Sequence, residues 1–258
     1  MIDLIVNSRL ALKNVEMIIF DKDGTLVDIH HYWGSMIKLR ANLIINQWFK
    51  TSPHKDIVFE ELISAMGINH KTGFIKPCGP VGIKSRVFIV EVVREYLNSL
   101  DVKVNNNDVE KIFCEVDKNT ENNISSLLKL LPGVKYFLDR CLDTDVKMII
   151  ISTDITRRIQ KAIDALSLSG YFTQIIGRDQ VTIGKPAPEA ASLALEKANQ
   201  SPERVASIGD HPVDIEMGVK ASIACNIGML TGLGDISQFL SQPCLLAKSF
   251  HELELNPN

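Results

Sequence analysis

Two aspartates separated by one residue, Asp21 and Asp23, stand directly after a short apolar run at 15–20 and just before Gly24. An apolar run that ends in acids and a glycine is typical of a buried strand leading into a functional loop. Two carboxylates beside a hinge suit phosphoryl transfer. Asp21 could attack phosphorus, while Asp23 protonates the leaving oxygen and then deprotonates a water. The alternative interpretation is that Asp and Gly simply form a turn at the end of the strand.

A hydroxyl follows a second apolar run. Ser152 and Thr153 come directly after residues 146–151 and before a stretch with helical spacing. Either hydroxyl could bind a phosphate oxygen, helped by the N–H groups of the helix N-terminus, and we favour Ser152. Ser and Thr are also common helix caps, so a role in capping alone is the competing interpretation.

Lys185 lies in a segment whose backbone is restricted, because prolines follow it at positions 186 and 188. Prolines fix the neighbouring backbone. A lysine in a loop is ordinarily solvated, but a fixed lysine could balance the charge of several carboxylates and a phosphate. We therefore treat Lys185 as a candidate catalytic and phosphate-binding residue.

Two further acids, Asp210 and Asp214, lie four residues apart at the end of a third apolar run. At a strand end and in the first turn of a helix, they can face the same point. Carboxylate oxygens are the ligands that Mg²⁺ prefers, and Mg²⁺ keeps other positions for water and substrate phosphate. His211 lies between these acids, and we interpret it as a loop residue rather than a ligand.

All of these residues follow short apolar strands that alternate with amphipathic helices, the pattern of a parallel sheet covered on both faces. Ligands of such sheets bind at the carboxyl ends of the strands. The sequence therefore predicts an α/β fold with a Rossmann-like parallel sheet. Beyond the strand at 15–20, strands are predicted at 146–151, 174–176, 205–208 and 224–227, with helices at 134–142, 156–166, 189–198 and 212–220.

The segment between the first acids and the hydroxyl is helical and poor in strands, which indicates an inserted domain. We predict a core formed by residues 1–29 and 131–258, and a helical domain at 30–130. Residues 1–14 have no clear interpretation. Basic residues lie in or near the glycine-rich loop at 67–82, and Lys76, Lys84 and Arg86 could bind a carboxylate or simply be solvated.

Four motifs in this order resemble those of the haloacid dehalogenase superfamily of phosphotransferases. The inserted helical segment is similar to the cap domain of its phosphoglycolate phosphatase-like branch. The motifs are Asp21-Lys22-Asp23-Gly24-Thr25-Leu26, the hydroxyl of Ser152, Lys185-Pro186-Ala187-Pro188, and Gly209-Asp210 with Asp214.

The resemblance implies a role for each matching residue. Asp21 would be the nucleophile and Asp23 the general acid and base. Mg²⁺ would be held by Asp21, the main-chain carbonyl of Asp23, and Asp210, with Asp214 as a ligand or just beyond the ligands. Phosphate would be bound by Ser152 or Thr153, by Lys185 and by Gly24. Asp23 also argues against a dehalogenase or a phosphonate-cleaving enzyme, because those branches lack the second acid.

The composition excludes several other classes of protein. The chain has 258 residues, a formal net charge of −3 and no cluster of basic residues, so nucleic acid is not an expected partner. We find neither a signal peptide nor an apolar run long enough to span a membrane, and therefore expect a cytoplasmic protein without a membrane partner. There is no Cys-x-x-Cys pair for zinc or redox chemistry.

The sequence thus predicts a Mg²⁺-dependent phosphatase that acts on a small phosphorylated metabolite, such as phosphoglycolate, through an aspartyl phosphate. Two alternatives remain open at this stage: a phosphosugar mutase of the same fold, and a catalytically silent binding module. A homodimer is one assembly that the sequence leaves open.

Overall fold

The computed structural model describes residues 1–77, 79–81, 84–121 and 123–258. It divides the chain into two compact units, one formed by Met1–Asp28 with Leu128–Asn258 and the other by Ile29–Leu127. The first of these is called the core unit and the second the cap unit. From the sequence we expected these boundaries at 29/30 and 130/131.

The described residues form nine strands and ten α-helices. The strands are β1 (Ile2–Val6), β2 (Arg9–Leu12), β3 (Met17–Phe20), β4 (Lys147–Ile151), β5 (Gln174–Ile176), β6 (Val205–Gly209), β7 (Cys225–Met229), β8 (Leu245–Ala247) and β9 (Leu253–Pro257). The helices are α1 (Ile29–Ile44), α2 (Lys55–Ala65), α3 (Arg86–Ser99), α4 (Asn106–Glu121), α5 (Ile124–Leu127), α6 (Val134–Asp143), α7 (Thr156–Ala165), α8 (Glu189–Ala198), α9 (Pro212–Lys220) and α10 (Ile236–Phe239). A π-helical turn at Ile45–Phe49 follows α1, and short 3₁₀ turns lie at Arg178–Gln180, Pro202–Arg204 and Phe250–Glu252.

Six parallel strands form the main sheet of the core unit, in the order β5-β4-β3-β6-β7-β8. In the register, Phe20 of β3 stands beside Ile150 of β4 and Ile208 of β6, so these three strands end at nearly the same level. The predicted α/β fold is confirmed. The residues that follow these strands are consequently brought to one edge of the sheet.

Both faces of the sheet are covered, which explains why its strands are almost continuously apolar. Met17 and Ile19 of β3 belong to a buried cluster with the alanines of α8. The ring of Phe20 points to the other face, where its centroid lies 6.3 Å from that of Phe137 of α6 and 6.4 Å from that of Phe250. Packing on two faces holds the end of β3 rigidly.

A second, antiparallel sheet in the core unit has the order β2-β1-β9. It pairs residues 1–14, which the sequence left without interpretation, with the last strand of the chain; Leu4 stands opposite both Leu12 and Leu255. Strand β8 was likewise not predicted from the sequence. Short strands whose partners lie far away in the sequence carry little local signal.

The cap unit is built from α1–α5. Its core contains Phe113 of α4, above whose ring the guanidinium carbons of Arg40 and Arg86 lie 4.3 and 5.5 Å from the centroid. Both arginines form ion pairs with Asp117 of α4. This arrangement fastens α1 and α3 to α4.

The basic residues singled out in this unit have partners of their own. Arg86 also pairs with Glu110, and the Nζ of Lys76 donates to the carbonyl and hydroxyl oxygens of Ser64 at 2.9 and 2.8 Å. The Nζ of Lys84 lies 5.8 Å from the ring centroid of Phe88. The side chains of Lys76 and Arg86 are therefore not simply solvated. Part of the predicted loop at 67–82 lies outside the described residues, namely Cys78 and Gly82.

Among the residues that the structure describes, no helix combines the length and the apolar character required to cross a membrane.

Candidate active site

Three carboxylates converge at the carboxyl edge of the main sheet. Asp21 follows β3, Asp210 follows β6, and Asp214 lies in the first turn of α9. One carboxylate oxygen from each lies within 4.8 Å of those from the other two. These residues are called the acidic triad. Because the strands of the sheet end at the same level, residues nearly 200 positions apart in the chain meet at one point.

Main-chain groups hold the triad in place. The amide of Asp21 donates to the carbonyl of Ile208 at 2.9 Å, which ties the first acid to the neighbouring strand β6. Asp210 accepts a 2.8 Å hydrogen bond from the amide of Leu233 and a 3.4 Å bond from the hydroxyl of Thr25. The first bond fixes the backbone of Asp21, and the other two fix the direction in which the Asp210 carboxylate points.

Asp214 and His211 form a capping box at the start of α9. The amide of His211 donates to Asp214 at 3.1 Å, and the Nδ1 of His211 accepts from the amide of Val213 at 3.4 Å. Such reciprocal bonds satisfy amides that a helix N-terminus leaves unpaired. Burial lowers the pKa of His211, which favours the neutral ring that this accepting role needs. His211 is thus a helix cap.

Lys185 lies against the triad. Its ammonium is 2.7 Å from Asp21 Oδ1 and 2.6 Å from Asp214 Oδ1, and its side chain is buried. The loop before it is anchored by Glu189, whose carboxylate accepts hydrogen bonds of 2.7 Å from the amides of Thr182 and Ile183. The peptide bond between Lys185 and Pro186 is cis.

The electrostatics of the triad call for an additional positive charge. Burial raises the pKa of Asp21 to about 7, against the opposing effect of Lys185 and with added repulsion from Asp214. Burial and the charges of Asp21 and Asp214 also raise the pKa of Asp210 well above its usual value. Burial acts to lower the pKa of Lys185, but the carboxylates outweigh it and raise that pKa.

When all four groups are ionised, three negative charges face one positive charge, leaving a net charge of −2. One divalent cation would neutralise this charge. The donor set consists of hard carboxylate oxygens, as Mg²⁺ or a similar cation prefers. The triad is therefore chemically suited to hold a metal ion.

Asp23 belongs to a separate charged cluster. Its Oδ2 lies 3.0 Å from the ammonium of Lys22, which also lies 3.4 Å from Asp154. Burial raises the pKa of Asp23; Lys22 opposes this effect and Asp154 adds to it. The two acids of the first motif thus face different lysines, Asp21 facing Lys185 and Asp23 facing Lys22.

The two candidate hydroxyls differ in exposure. Ser152 is buried directly after β4, and its Oγ accepts a 3.2 Å hydrogen bond from the amide of Asp154, whereas Thr153 is exposed. Ser152 follows the strand at the same edge of the sheet as the triad. Its position favours Ser152 over Thr153 as the phosphate-binding hydroxyl.

Gly24 turns the chain away from the triad with a φ of 94°, a conformation that favours glycine. A side chain at this position would collide with the Asp210 carboxylate. The Gly24 carbonyl accepts a 2.6 Å hydrogen bond from the hydroxyl of Thr231, which ties the first motif to the segment after β7.

Residues 15–222 match the family model described as haloacid dehalogenase-like hydrolase. The chain belongs to this haloacid dehalogenase-like family. The resemblance stated from its motifs is thereby confirmed, and so is its classification as a hydrolase.

Several relatives of this haloacid dehalogenase-like chain are phosphatases by name. A phosphorylated carbohydrates phosphatase from Thermotoga maritima is 25% identical over 221 residues, which cover 86% of this chain and 88% of the relative. A phosphoglycolate phosphatase from Aquifex aeolicus is 33% identical over 93 residues; this alignment covers 36% of this chain but only 44% of that enzyme. The second match is thus limited to less than half of the relative.

Solved structures support the haloacid dehalogenase-like fold. A Thermotoga maritima protein assigned as a β-phosphoglucomutase superposes with a TM-score of 0.67 at 24% identity, covering 92% of this chain and 96% of that one. A hydrolase of the superfamily from Geobacter sulfurreducens superposes with a TM-score of 0.62 at 15% identity, covering 93% and 97%. At these identities the likeness establishes the fold alone.

Sequence reasoning missed some residues of this haloacid dehalogenase-like site. Lys22 was treated only as the residue between the two acids of the first motif, and Asp154 was given no role, although each is a charged residue next to candidate site residues. The segment at 231–234, which donates the Leu233 amide to Asp210, carries no recognisable motif. Its two glycines, at positions 232 and 234, were the available signal.

Replacing Gly232 with alanine tests how tightly the triad is held. The added methyl group would collide with the Asp210 carboxylate, and the backbone of Gly232 has no unusual conformation that would complicate the result. Because displacements of about 1 Å can cost about 100-fold in rate, we expect at least a ~10-fold loss of hydrolysis by Gly232→Ala. Gly34→Ala on α1 is the control, since an added Cβ there has open space. Equal activity of the two variants would contradict the prediction.

Proposed function

We propose that this protein is a Mg²⁺-dependent phosphatase that hydrolyses a small phosphomonoester through an aspartyl phosphate on Asp21. The observation that carries the proposal is the ammonium of Lys185, held at 2.7 and 2.6 Å between Asp21 and Asp214 within the acidic triad. An acid so placed is oriented as a nucleophile, and the lysine can balance the charge of an incoming phosphate.

The residues that would hold Mg²⁺ are the triad and the main-chain carbonyl of Asp23. Asp214 also bonds to Lys185 and to the amide of His211, so it serves either as a ligand or as a support for one. When bound, the cation would neutralise the net charge of the triad and draw electron density from the phosphoryl oxygens.

The chain's own groups account for both halves of the reaction. Asp21 attacks phosphorus, and the bond to the leaving oxygen breaks as Asp23 donates a proton to that oxygen. Asp23 then takes a proton from water, whose oxygen attacks phosphorus and releases inorganic phosphate and free Asp21. Throughout, Lys185 stabilises negative charge, while the Ser152 hydroxyl and the Gly24 segment bind phosphate oxygens.

For the substrate we propose a small phosphorylated metabolite in the cytoplasm, with phosphoglycolate and phosphorylated sugars as the first candidates. Support comes from the names of the relatives: the carbohydrate phosphatase matches along most of its length, and the phosphoglycolate phosphatase matches with higher identity over a shorter stretch. Neither nucleic acid nor membrane forms part of this proposal, and a homodimer remains to be tested by light scattering.

The test is the release of phosphate from a panel containing phosphoglycolate, hexose and pentose phosphates, and p-nitrophenyl phosphate, each with Mg²⁺ and with EDTA. We expect release from at least one compound and its loss on chelation. Interconversion of two phosphosugars without steady release of phosphate would instead establish a mutase. If the panel shows neither reaction, the phosphatase proposal is wrong and the silent binding module becomes the leading description.

The raised pKa values predict how stability depends on pH and metal. In the metal-free protein, Asp21 and Asp210 hold protons that an unfolded chain would release, so folding takes up protons above about pH 4, and for Asp21 this window extends to about pH 7. Stability should therefore fall as the pH rises through this window. Mg²⁺ favours the ionised acids, so we expect it to raise the Tm more at pH 8 than at pH 5. Thermal scans with and without Mg²⁺ check this, and a larger shift at pH 5 would contradict it.

A further inference from the structure

Lys22 is a long basic side chain that the fold buries almost completely, with 1% of its surface exposed. Lysines are rarely buried to this extent unless they are paired. The ammonium of Lys22 lies 3.0 Å from Asp23 Oδ2 and 3.4 Å from Asp154 Oδ2. Lys22 thus pairs with Asp23, the acid of the first motif that Lys185 does not contact.

Asp154, the other partner of Lys22, is itself fixed. Its Oδ1 accepts a 2.9 Å hydrogen bond from the amide of Ile155 and lies 3.4 Å from the Nε of Arg158. Its Oδ2 is thereby directed at Lys22. The four ionised groups of this cluster carry two negative and two positive charges, so the cluster is neutral without a metal, unlike the triad.

The two oxygens of Asp23 have different surroundings. Oδ2 is held by Lys22, whereas Oδ1 is buried and has no hydrogen-bond partner among the residues that the structure describes. A buried acceptor without a partner is uncommon and calls for an explanation. A group that must exchange a proton with substrate and water would need one oxygen kept available in this way.

We propose that Lys22 is a positioning residue: it holds Asp23 through Oδ2, with Asp154 as its own support, and so reserves Oδ1 for proton transfer. The inference rests on the proposed function. In the first half-reaction the Oδ1–H bond breaks and its proton goes to the leaving oxygen. In the second, Oδ1 takes a proton from the attacking water. Lys22 neither gains nor loses a proton.

The turn that contains Lys22 does not depend on its side chain. The Lys22 carbonyl accepts hydrogen bonds of 2.9 Å from the amides of Leu26 and Val27, and the amide of Gly24 donates to the Val27 carbonyl at 2.8 Å. These main-chain bonds persist when the ammonium is removed. A variant at position 22 should therefore disturb the orientation of Asp23 more than the path of the chain.

The experiment compares leaving groups. An alkyl oxygen must be protonated as it departs, whereas p-nitrophenolate leaves as an anion, so only the first ester needs Asp23 in the step that kcat/KM reports. For Lys22→Met we expect a loss in kcat/KM of about 30-fold or more on the best alkyl ester of the panel, and of less than about threefold on p-nitrophenyl phosphate. Lys147→Met, at the opposite end of β4, is the matched control and should change neither value.

A double-mutant cycle separates positioning from general damage. If Lys22 acts through Asp23, then adding Lys22→Met to Asp23→Asn should lower kcat/KM on the alkyl ester by less than about threefold. Asp154→Asn is a milder change that keeps the ammonium of Lys22. It should also lower kcat/KM more on the alkyl ester than on p-nitrophenyl phosphate, but by a smaller factor than Lys22→Met. This variant also keeps the test decisive if Lys22→Met does not fold.

Two results would overturn the role of Lys22 without affecting the proposed phosphatase function. One is an equal loss of kcat/KM on the two esters in Lys22→Met, and the other is a loss that is just as large when Lys22→Met is added to Asp23→Asn. If the unmodified protein releases no phosphate that depends on Asp21, the proposed function fails, and the role of Lys22 falls with it.

Discussion

Replacing Asp21 with asparagine is expected to reduce phosphate release by about 10⁴-fold or more, since loss of a catalytic nucleophile removes the covalent route altogether. Asparagine keeps the shape of the side chain and can still accept a hydrogen bond from Lys185, whose ammonium lies 2.7 Å from Asp21 Oδ1. What disappears is the anionic oxygen that attacks phosphorus. The measurement is kcat on the best ester of the panel at saturating Mg²⁺, together with trapping of the phosphorylated protein after acid quench.

The same variant should not be unstable. Burial raises the pKa of Asp21 to about 7, so above pH 7 the ionised acid costs the metal-free fold free energy that a neutral amide does not. We expect Asp21→Asn without metal at pH 8 to melt no lower than the unmodified protein. Asp139→Asn, on the solvent-facing side of α6, is the matched control for activity. Residual turnover within about 10-fold of the original would show that Asp21 is not the nucleophile.

The positions of the candidate site residues could be predicted because they depend on a simple property of parallel sheets. Asp21, Ser152 and Asp210 each follow a buried strand, and those strands are adjacent and level in the sheet. An apolar run followed by a polar residue is visible in the sequence, and the topology then brings the strand ends together. No side-chain detail was needed to place them at one edge.

The partners of these groups could not be predicted in the same way. A lysine can reach water from almost any position because its stem is long and flexible, so its identity says little about where its ammonium lies. The side chain of Lys22 is buried and pairs with Asp23, and that of Lys76 donates a hydrogen bond to Ser64 within the cap unit. Such outcomes depend on packing among elements distant in the sequence.

The antiparallel sheet marks another limit of local pattern. β1 pairs with β9, about 250 residues away, and no turn joins these two strands. β8 is only three residues long and takes its place from its neighbour β7. Long-range pairing of short strands is fixed by the completed fold, which a single sequence does not display.

Replacing Lys185 with methionine is expected to lower kcat/KM by about 10²- to 10³-fold, the usual cost of removing a preorganised charge that stabilises the transition state. Methionine preserves much of the apolar stem but leaves Asp21 and Asp214 without the ammonium that each contacts. The triad then carries a charge of −3 when ionised. Steady-state kinetics on the best ester measure the loss, and Lys147→Met is the matched control.

Stability should respond to Lys185→Met with a defined dependence on pH. Unpairing buried carboxylates costs about 3–5 kcal/mol when they are ionised, so we expect a larger cost at pH 8 than at pH 5. Towards pH 5 the cost should shrink, because Asp21 and Asp210, whose pKa values are already raised, take up protons that relieve the repulsion. Urea unfolding of the metal-free protein at the two pH values measures the difference. A loss of stability independent of pH would mean that Lys185 contributes through packing, and the account of Lys185 as the charge partner of the triad would then be wrong.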